Sequence, residues 1–166
     1  MDKVLVIGCG PKKYGASKNV NVINIDKDPF NNPDVVRDVE KGLPFDDNSI
    51  TEIYSEHFLE HLNPDNVNFF MFECWRVLKN GGLFKAIVPI GESWNSSPFH
   101  KTHFNRHTPL FFTEWNNLAH SGYEFKFIKK DVKTINPDVD WQDEMYFELE
   151  AVKKDKKKNE RMDKQV

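Results

Sequence analysis

The stretch Val4-Leu5-Val6-Ile7-Gly8-Cys9-Gly10, read together with Val22-Ile23-Asn24-Ile25-Asp26, decides the fold. Four apolar residues, mostly β-branched and cut off by glycine, are too few for a helix and read as a buried strand running into a tight turn. The second apolar run, Val20 to Ile25, ends on Asp26, 18 residues after Gly8. Glycines directly after a strand let a ligand approach the backbone. An acid at the end of the next strand accepts hydrogen bonds from ribose hydroxyls. Together the two segments predict an open α/β sheet with a nucleoside-bearing ligand at its carboxyl edge.

Which nucleoside ligand follows from what lies between them. The dinucleotide fingerprint G-x-G-x-x-G needs glycine at position 13, which is Lys13 here. Only nine residues, Pro11 to Asn19, join the glycines to the second strand. That leaves little room for the helix whose N-terminus would hold a pyrophosphate. S-adenosylmethionine (SAM) has no phosphate and does not need that dipole, so nicotinamide binding is the minor reading.

Further along, Val35-Val36 and Ile50 to Tyr54 read as two more short strands, the latter after the turn-like Asp46-Asp47-Asn48-Ser49. A helix is expected from Asn63 to Lys79, with Asn63 as cap, Pro64 in the first turn, and Val67, Phe70, Met71, Cys74, Val77 and Leu78 forming one apolar stripe. Asn80-Gly81-Gly82 is expected to stop it before a strand at Leu83 to Val88. The His-rich stretch from Pro89 to about Thr108 is too long for an ordinary connection and reads as a binding loop. A second helix is expected from Thr113 to His120, followed by strands at Tyr123 to Ile128 and Met145 to Val152. Their connection lacks a helical period, so the last pair should be antiparallel.

The 166 residues suffice for one domain, expected over 1–152, with a basic flexible tail at 153–166. The tail holds seven Lys/Arg against three Asp/Glu, a net of +4, so residues 1–152 carry −7 where the whole chain carries −3. An acidic body argues against a nucleic-acid face. Only Cys9 and Cys74 occur, which does not suit a disulfide framework, and the apolar run before Gly8 is far short of a signal segment or membrane span. A cytoplasmic protein without a membrane partner is expected, its oligomeric state open.

The segments VLVIGCGPKKYG (4–15), VINID (22–26), RDVEKGLPFDDNSITEIYSEHFLEHL (37–62), RVLKNGGLFKAIVP (76–89) and, more loosely, FFTEWNNLAHSGY (111–123) follow one another in order. In that order they resemble the small class I SAM-dependent methyltransferases related to the quinone-biosynthesis group, of the methyltransferase-domain type 11 kind. The resemblance implies a Rossmann-like fold with a mostly parallel central sheet, an antiparallel last strand and helices on both faces. It implies that Gly8, Cys9 and Gly10 line the amino-acid end of SAM, that Asp26 takes the ribose, and that Asp38 and Val39 lie near adenine. Ser55, Glu56 and His57 would face the methyl and methionine portion. The family often has an acidic or amide residue two before the first glycine, where this chain has Val6.

His57-Phe58-Leu59-Glu60-His61 formally matches the H-x-x-E-H pattern of inverted zinc peptidases. Yet it follows a strand directly, and Asn63-Pro64 starts a new helix two residues later. Some related quinone O-methyltransferases hold a divalent ion here with two acids and a His. His57 stands in place of the first acid, leaving Glu60 and His61, so no metal is expected. In the loop, Trp94, His100, His103 and His107 accumulate, and the resemblance places a substrate-facing imidazole near His103. His57 and His103 are thus the candidate bases for a proton-bearing acceptor, small or polymer-borne. The alternatives are a catalytically silent scaffold with this fold and a metal hydrolase built on the 57–61 segment.

Overall fold

The computed structural model describes residues 1–15, 19–113, 122–135 and 143–153. Among these residues seven strands form one sheet: β1 (Asp2–Ile7), β2 (Val20–Asp26), β3 (Val35–Val36), β4 (Ile50–Glu56), β5 (Leu78–Pro89), β6 (Phe127–Ile135) and β7 (Glu144–Ala151). They lie in the order β3-β2-β1-β4-β5-β7-β6. The first five are mutually parallel, β7 runs antiparallel to β5, and β6 antiparallel to β7. This is the mostly parallel sheet that the sequence predicts.

Strand burial follows position. Central β1 ends in three consecutive buried residues, Leu5, Val6 and Ile7, as a strand covered on both faces must. β7 alternates, with Met145, Phe147, Leu149 and Ala151 inward. β6 begins at Phe127 and runs to Ile135, several residues later than the Tyr123 to Ile128 expected. Its exposed Lys129-Lys130-Asp131 hides the strand from a hydrophobicity reading, but β6 is an edge, where charged side chains are tolerated and blunt further pairing.

The long helix α1 (Pro64–Val77) buries Val67, Phe70, Met71, Cys74 and Val77 on the expected stripe. Its ends differ from expectation. Asn63 does not cap through its side chain but turns it to Glu40, whose Oε1 accepts from the Asn63 backbone N–H at 2.9 Å and from Asn66 Nδ2 at 3.1 Å. The helix ends at Val77, and Leu78 is already extended and paired with Ile50, so Asn80-Gly81-Gly82 forms an irregularity inside β5 rather than a helix stop. Two four-residue helices, α2 (Gly91–Trp94) and α3 (Thr108–Phe111), lie in and after the long loop. The helix expected at Thr113 to His120 and the tail beyond Lys153 fall outside the described residues. No helix among the described residues is long and apolar enough to cross a membrane.

Phe70, Phe84, Phe104, Phe112, Phe127 and Phe147 are the largest fully buried side chains among the described residues. Phe84, on β5, touches three of the others, with ring centroids 6.0–6.5 Å from Phe70, Phe127 and Phe147. The sheet centre is thus packed with aromatic rings, and the parallel pairing of β1 with β2 and β4 brings their carboxyl ends to one edge.

Candidate cofactor and acceptor cleft

At that edge β1 turns over Gly8, whose φ is +68°. Its N–H and that of Cys9 both donate to the Ile25 carbonyl, at 2.9 and 3.2 Å. Asp26, at the end of β2, accepts from Gly10 N–H at 2.9 Å through one oxygen and from Asp28 N–H at 2.9 Å through the other. Asn24, almost fully buried, clamps Tyr14 through both its amide atoms. The glycine turn is thus moulded onto β2 without a helix between Gly8 and Gly15.

Gly8 has a second reason to be glycine. A Cβ there would stand 2.3 Å from Phe58 Cδ2 and 2.8 Å from Phe58 Cβ. At Gly10, also at positive φ, nothing lies within 4 Å of such a Cβ. Both Gly→Ala changes carry the left-handed backbone penalty of about 1–2 kcal/mol. Only Gly8→Ala adds an overpacking cost, of about 1–3 kcal/mol. The urea midpoint of Gly8→Ala is therefore expected well below that of Gly10→Ala, and equal midpoints would contradict the Phe58 contact.

A cleft of about 620 Å³ opens along the edge, bordered by Gly8, Asp26, Asp38, Val39, His57 and Phe58, with Phe99 and Lys101 of the long loop across it. A smaller hollow of about 210 Å³ adjoins it at Gly8 and His57 and adds Cys9, Tyr14 and Glu56. Gly10 does not line either space and acts through its N–H on Asp26. Ser55 does not line them either. It is fully buried on β4, its Oγ without a hydrogen-bond partner among the described residues.

Glu56 accepts from the hydroxyls of Tyr14 (2.6 Å) and Tyr54 (2.9 Å). The Tyr14 bond, and after it the Tyr54 bond, hold the Glu56 carboxyl below its ordinary range against burial. Burial and the neighbouring carboxylate push the Tyr14 hydroxyl up to about 12.

His57 follows β4 at φ +50°, a left-handed conformation costly for a non-glycine residue and typical of functional sites. Its backbone N–H donates to the Ile87 carbonyl at 3.0 Å. The ring lies between two carboxylates: Nδ1 is 3.6 Å from Glu60 Oε1 and Nε2 is 3.0 Å from Glu144 Oε1, at the start of β7. Glu60, and after it Glu144, raise the His57 pKa against burial. His57 and His61 do not share a helical face, because only a short 3-10 turn, Leu59–His61, separates His57 from α1. The peptidase reading of the segment thus loses its helix.

His103 is exposed and packs edge-on against Trp94 with centroids 4.7 Å apart, outside the lining of both spaces. The loop imidazole that approaches the 57–61 segment is His100 instead, with Nε2 3.9 Å from Glu60 Oε1. Glu144 escaped sequence reading and His100 was read only as one of the loop's histidines, because nothing in their local surroundings signals that they pack beside His57 and Glu60.

Residues 5–86 match the sequence profile of a methyltransferase domain. No curated protein sequence matches it. Among solved structures it is similar to a SAM-dependent methyltransferase from Methanosarcina mazei, at 17% identity over 92% of this chain and 93% of that one, with a TM-score of 0.67. A SAM-dependent methyltransferase from Archaeoglobus fulgidus matches at 17% identity, covering 90% and 86% of the two chains, TM-score 0.64. Geranyl diphosphate C-methyltransferase from Streptomyces coelicolor A3(2), solved with Mg²⁺, geranyl diphosphate and S-adenosyl-L-homocysteine, matches at 13% identity over 92% and 74%, TM-score 0.64. Fold and domain match together support a class I SAM-dependent methyltransferase with S-adenosyl-L-methionine as cofactor.

The residues present fit that cofactor. The larger cleft has the size of a ligand site, typically about 300–1,000 Å³. The Asp26 carboxylate uses one acceptor site on each oxygen for backbone N–H groups, so about half of its roughly four lone-pair sites remain for hydroxyls.

Proposed function

We propose that the cleft at the carboxyl edge of β1, β2 and β4 binds S-adenosyl-L-methionine, and that the domain methylates a proton-bearing oxygen or nitrogen of a small-molecule or polymer-borne acceptor in the cytoplasm. The observation that carries this reading is the meeting of Gly8, Asp26, Asp38, Val39 and His57 around one cleft, although they come from four separate segments. The cofactor supplies a methyl group already activated by its bond to a sulfonium. Asp26 would hold ribose hydroxyls while bracing the glycine turn, and buried Val39 would offer an apolar wall to adenine. Cys9 and Glu56, around the smaller hollow, would border the amino-acid end. Neutral His57, its Nε2–H held by Glu144 Oε1, would take the acceptor's proton at Nδ1 as the new bond to carbon forms. His103 has no part in this reading.

Titration calorimetry with S-adenosylmethionine and S-adenosylhomocysteine tests the binding half directly. Asp26→Ala is expected to weaken either ligand about 10- to 150-fold, the value of a lost hydrogen bond to a charged group. A wild-type protein that gives no heat and no thermal shift at millimolar ligand would end this reading.

A further inference from the structure

Glu60 is fully buried, and neither carboxylate oxygen has a hydrogen-bond partner among the described residues. His57 Nδ1, at 3.6 Å, and His100 Nε2, at 3.9 Å, stand beyond hydrogen-bond reach of Oε1, so a carboxylate charge there has basic groups near it but none bonded to it. Three groups converge there: one donor atom from each of Glu60, His61 and His100 lies within 4.8 Å of those of the other two.

The tautomers of the two imidazoles are set from behind. His100 Nδ1 lies 2.7 Å from the Trp94 carbonyl, and His61 Nδ1 lies 3.3 Å from the Phe99 carbonyl. A carbonyl accepts only, so each Nδ1 carries a proton, and in the neutral ring it is Nε2 that offers the lone pair. This is the outer-shell pattern that orients metal-binding histidines. The loop is also clamped to the same short turn. Lys101 and Thr102 N–H groups donate to the Glu60 carbonyl at 2.7 and 3.0 Å, and Thr102 Oγ1 to the Leu62 carbonyl at 2.8 Å.

We propose that Glu60, His61 and His100 bind a borderline transition-metal ion of the zinc class. Two imidazole nitrogens and one carboxylate suit zinc rather than magnesium or calcium, which take mostly oxygen. The set differs from the two acids and one His of the quinone O-methyltransferase likeness, because its third donor comes from the long loop. Zinc bonds near 2.1 Å place tetrahedral ligands roughly 3.4 Å apart. Exposed His61 can close the remaining distance. The ion neutralises Glu60 and pins the loop to the turn before α1. Three protein donors leave a fourth position for water, on the side where His61 borders the larger cleft.

Tag-free protein is stripped with a chelator, equilibrated with zinc, desalted and assayed by elemental analysis, with Co²⁺ substitution read by visible absorption. One equivalent of zinc and a tetrahedral cobalt spectrum are expected from the wild type and from His107→Ala, an exposed histidine elsewhere on the loop. His61→Ala, His100→Ala and Glu60→Gln should each weaken zinc by more than the roughly 10- to 100-fold that loss of an outer-shell partner costs. His61→Ala changes an exposed side chain, and circular dichroism checks that it is folded. The proposal is overturned if the wild type retains no zinc, or if zinc persists unchanged in both His61→Ala and His100→Ala. S-adenosylhomocysteine titration of the stripped protein keeps the two readings apart: binding without zinc uptake removes this inference alone.

Discussion

Arg76→Met is expected to lower the unfolding free energy by about 3–5 kcal/mol, the cost of leaving a buried charge without its partner. Glu73 is one of the few buried acids, 7% exposed on the inner side of α1. Arg76 meets it with two bonds, Nε to Oε1 at 2.6 Å and Nη2 to Oε2 at 2.8 Å. The same guanidinium donates to the carbonyls of Leu43 and Phe45, each at 2.9 Å, and Glu73 Oε2 accepts from Leu43 N–H at 2.8 Å. One pair therefore stitches α1 to the connection between β3 and β4. Methionine keeps the apolar stem but strands the carboxylate and two carbonyls.

Against a typical total of about 5–15 kcal/mol, that loss brings the domain close to its threshold. Urea denaturation should show a lower midpoint at unchanged slope. The double variant Arg76→Met/Glu73→Leu should recover part of the loss, since no buried charge remains. A drop below about 1 kcal/mol for Arg76→Met would mean that the pair acts as an ordinary surface salt bridge. The pair also has an acid limit. Burial opposes ionisation of Glu73, but the Arg76 and Leu43 hydrogen bonds outweigh it and hold its carboxyl below the ordinary value. Its contribution is thus complete above the unfolded pKa of about 4.3 and is lost as pH falls through the lower folded value.

The second large effect belongs to His57. Replacing it is expected to cut turnover by about 10²- to 10⁴-fold, the contribution of a positioned proton acceptor, or roughly 3–5 kcal/mol of barrier. S-adenosylhomocysteine affinity should stay within a few fold, because ribose and adenine are assigned to Asp26 and Val39. His57→Asn is the variant of choice: Asn tolerates the left-handed backbone that His57 adopts at φ +50°. It removes the imidazole without the strain that alanine would retain. Glu144→Gln should give a smaller loss in the same assay, as expected of a group that orients the ring from 3.0 Å without touching the acceptor. The readout is S-adenosylhomocysteine release with a panel of hydroxyl- and amine-bearing compounds. Full turnover in His57→Asn, or a collapse of cofactor affinity, would remove His57 from the role of base. His103→Ala serves as the comparison and should behave as wild type.

Much of the site was legible in the sequence because its elements are local. Val4 to Ile7 closed by Gly8, and Val20 to Ile25 closed by Asp26, are short-range signals of strand and turn, and parallel strands with their ends at one edge follow from them. The stripe on α1 is local in the same sense. The position of β6 was not legible, since charged edge residues carry no periodicity of burial. The cap at Asn63 was misread for a different reason. Its side chain had a choice between a local backbone N–H and the distant Glu40, and only the folded chain brings Glu40 there.

The amino-acid sequence by itself determined the sheet, the glycine turn, the acid at position 26 and the segment 57–61, because strand, turn and helix propensities are set by neighbours along the chain. Tertiary structure alone decided which groups stand around that segment. Glu144 reaches His57 from the antiparallel last strand, and His100 reaches Glu60 because the loop after β5 folds back onto the turn before α1. His103, three residues from His100, is turned out against Trp94 instead. A loop without periodicity gives no sign of which side chain faces inward. That is settled by backbone hydrogen bonds from Lys101 and Thr102 to Glu60, a contact some forty residues apart in sequence and adjacent only in the fold.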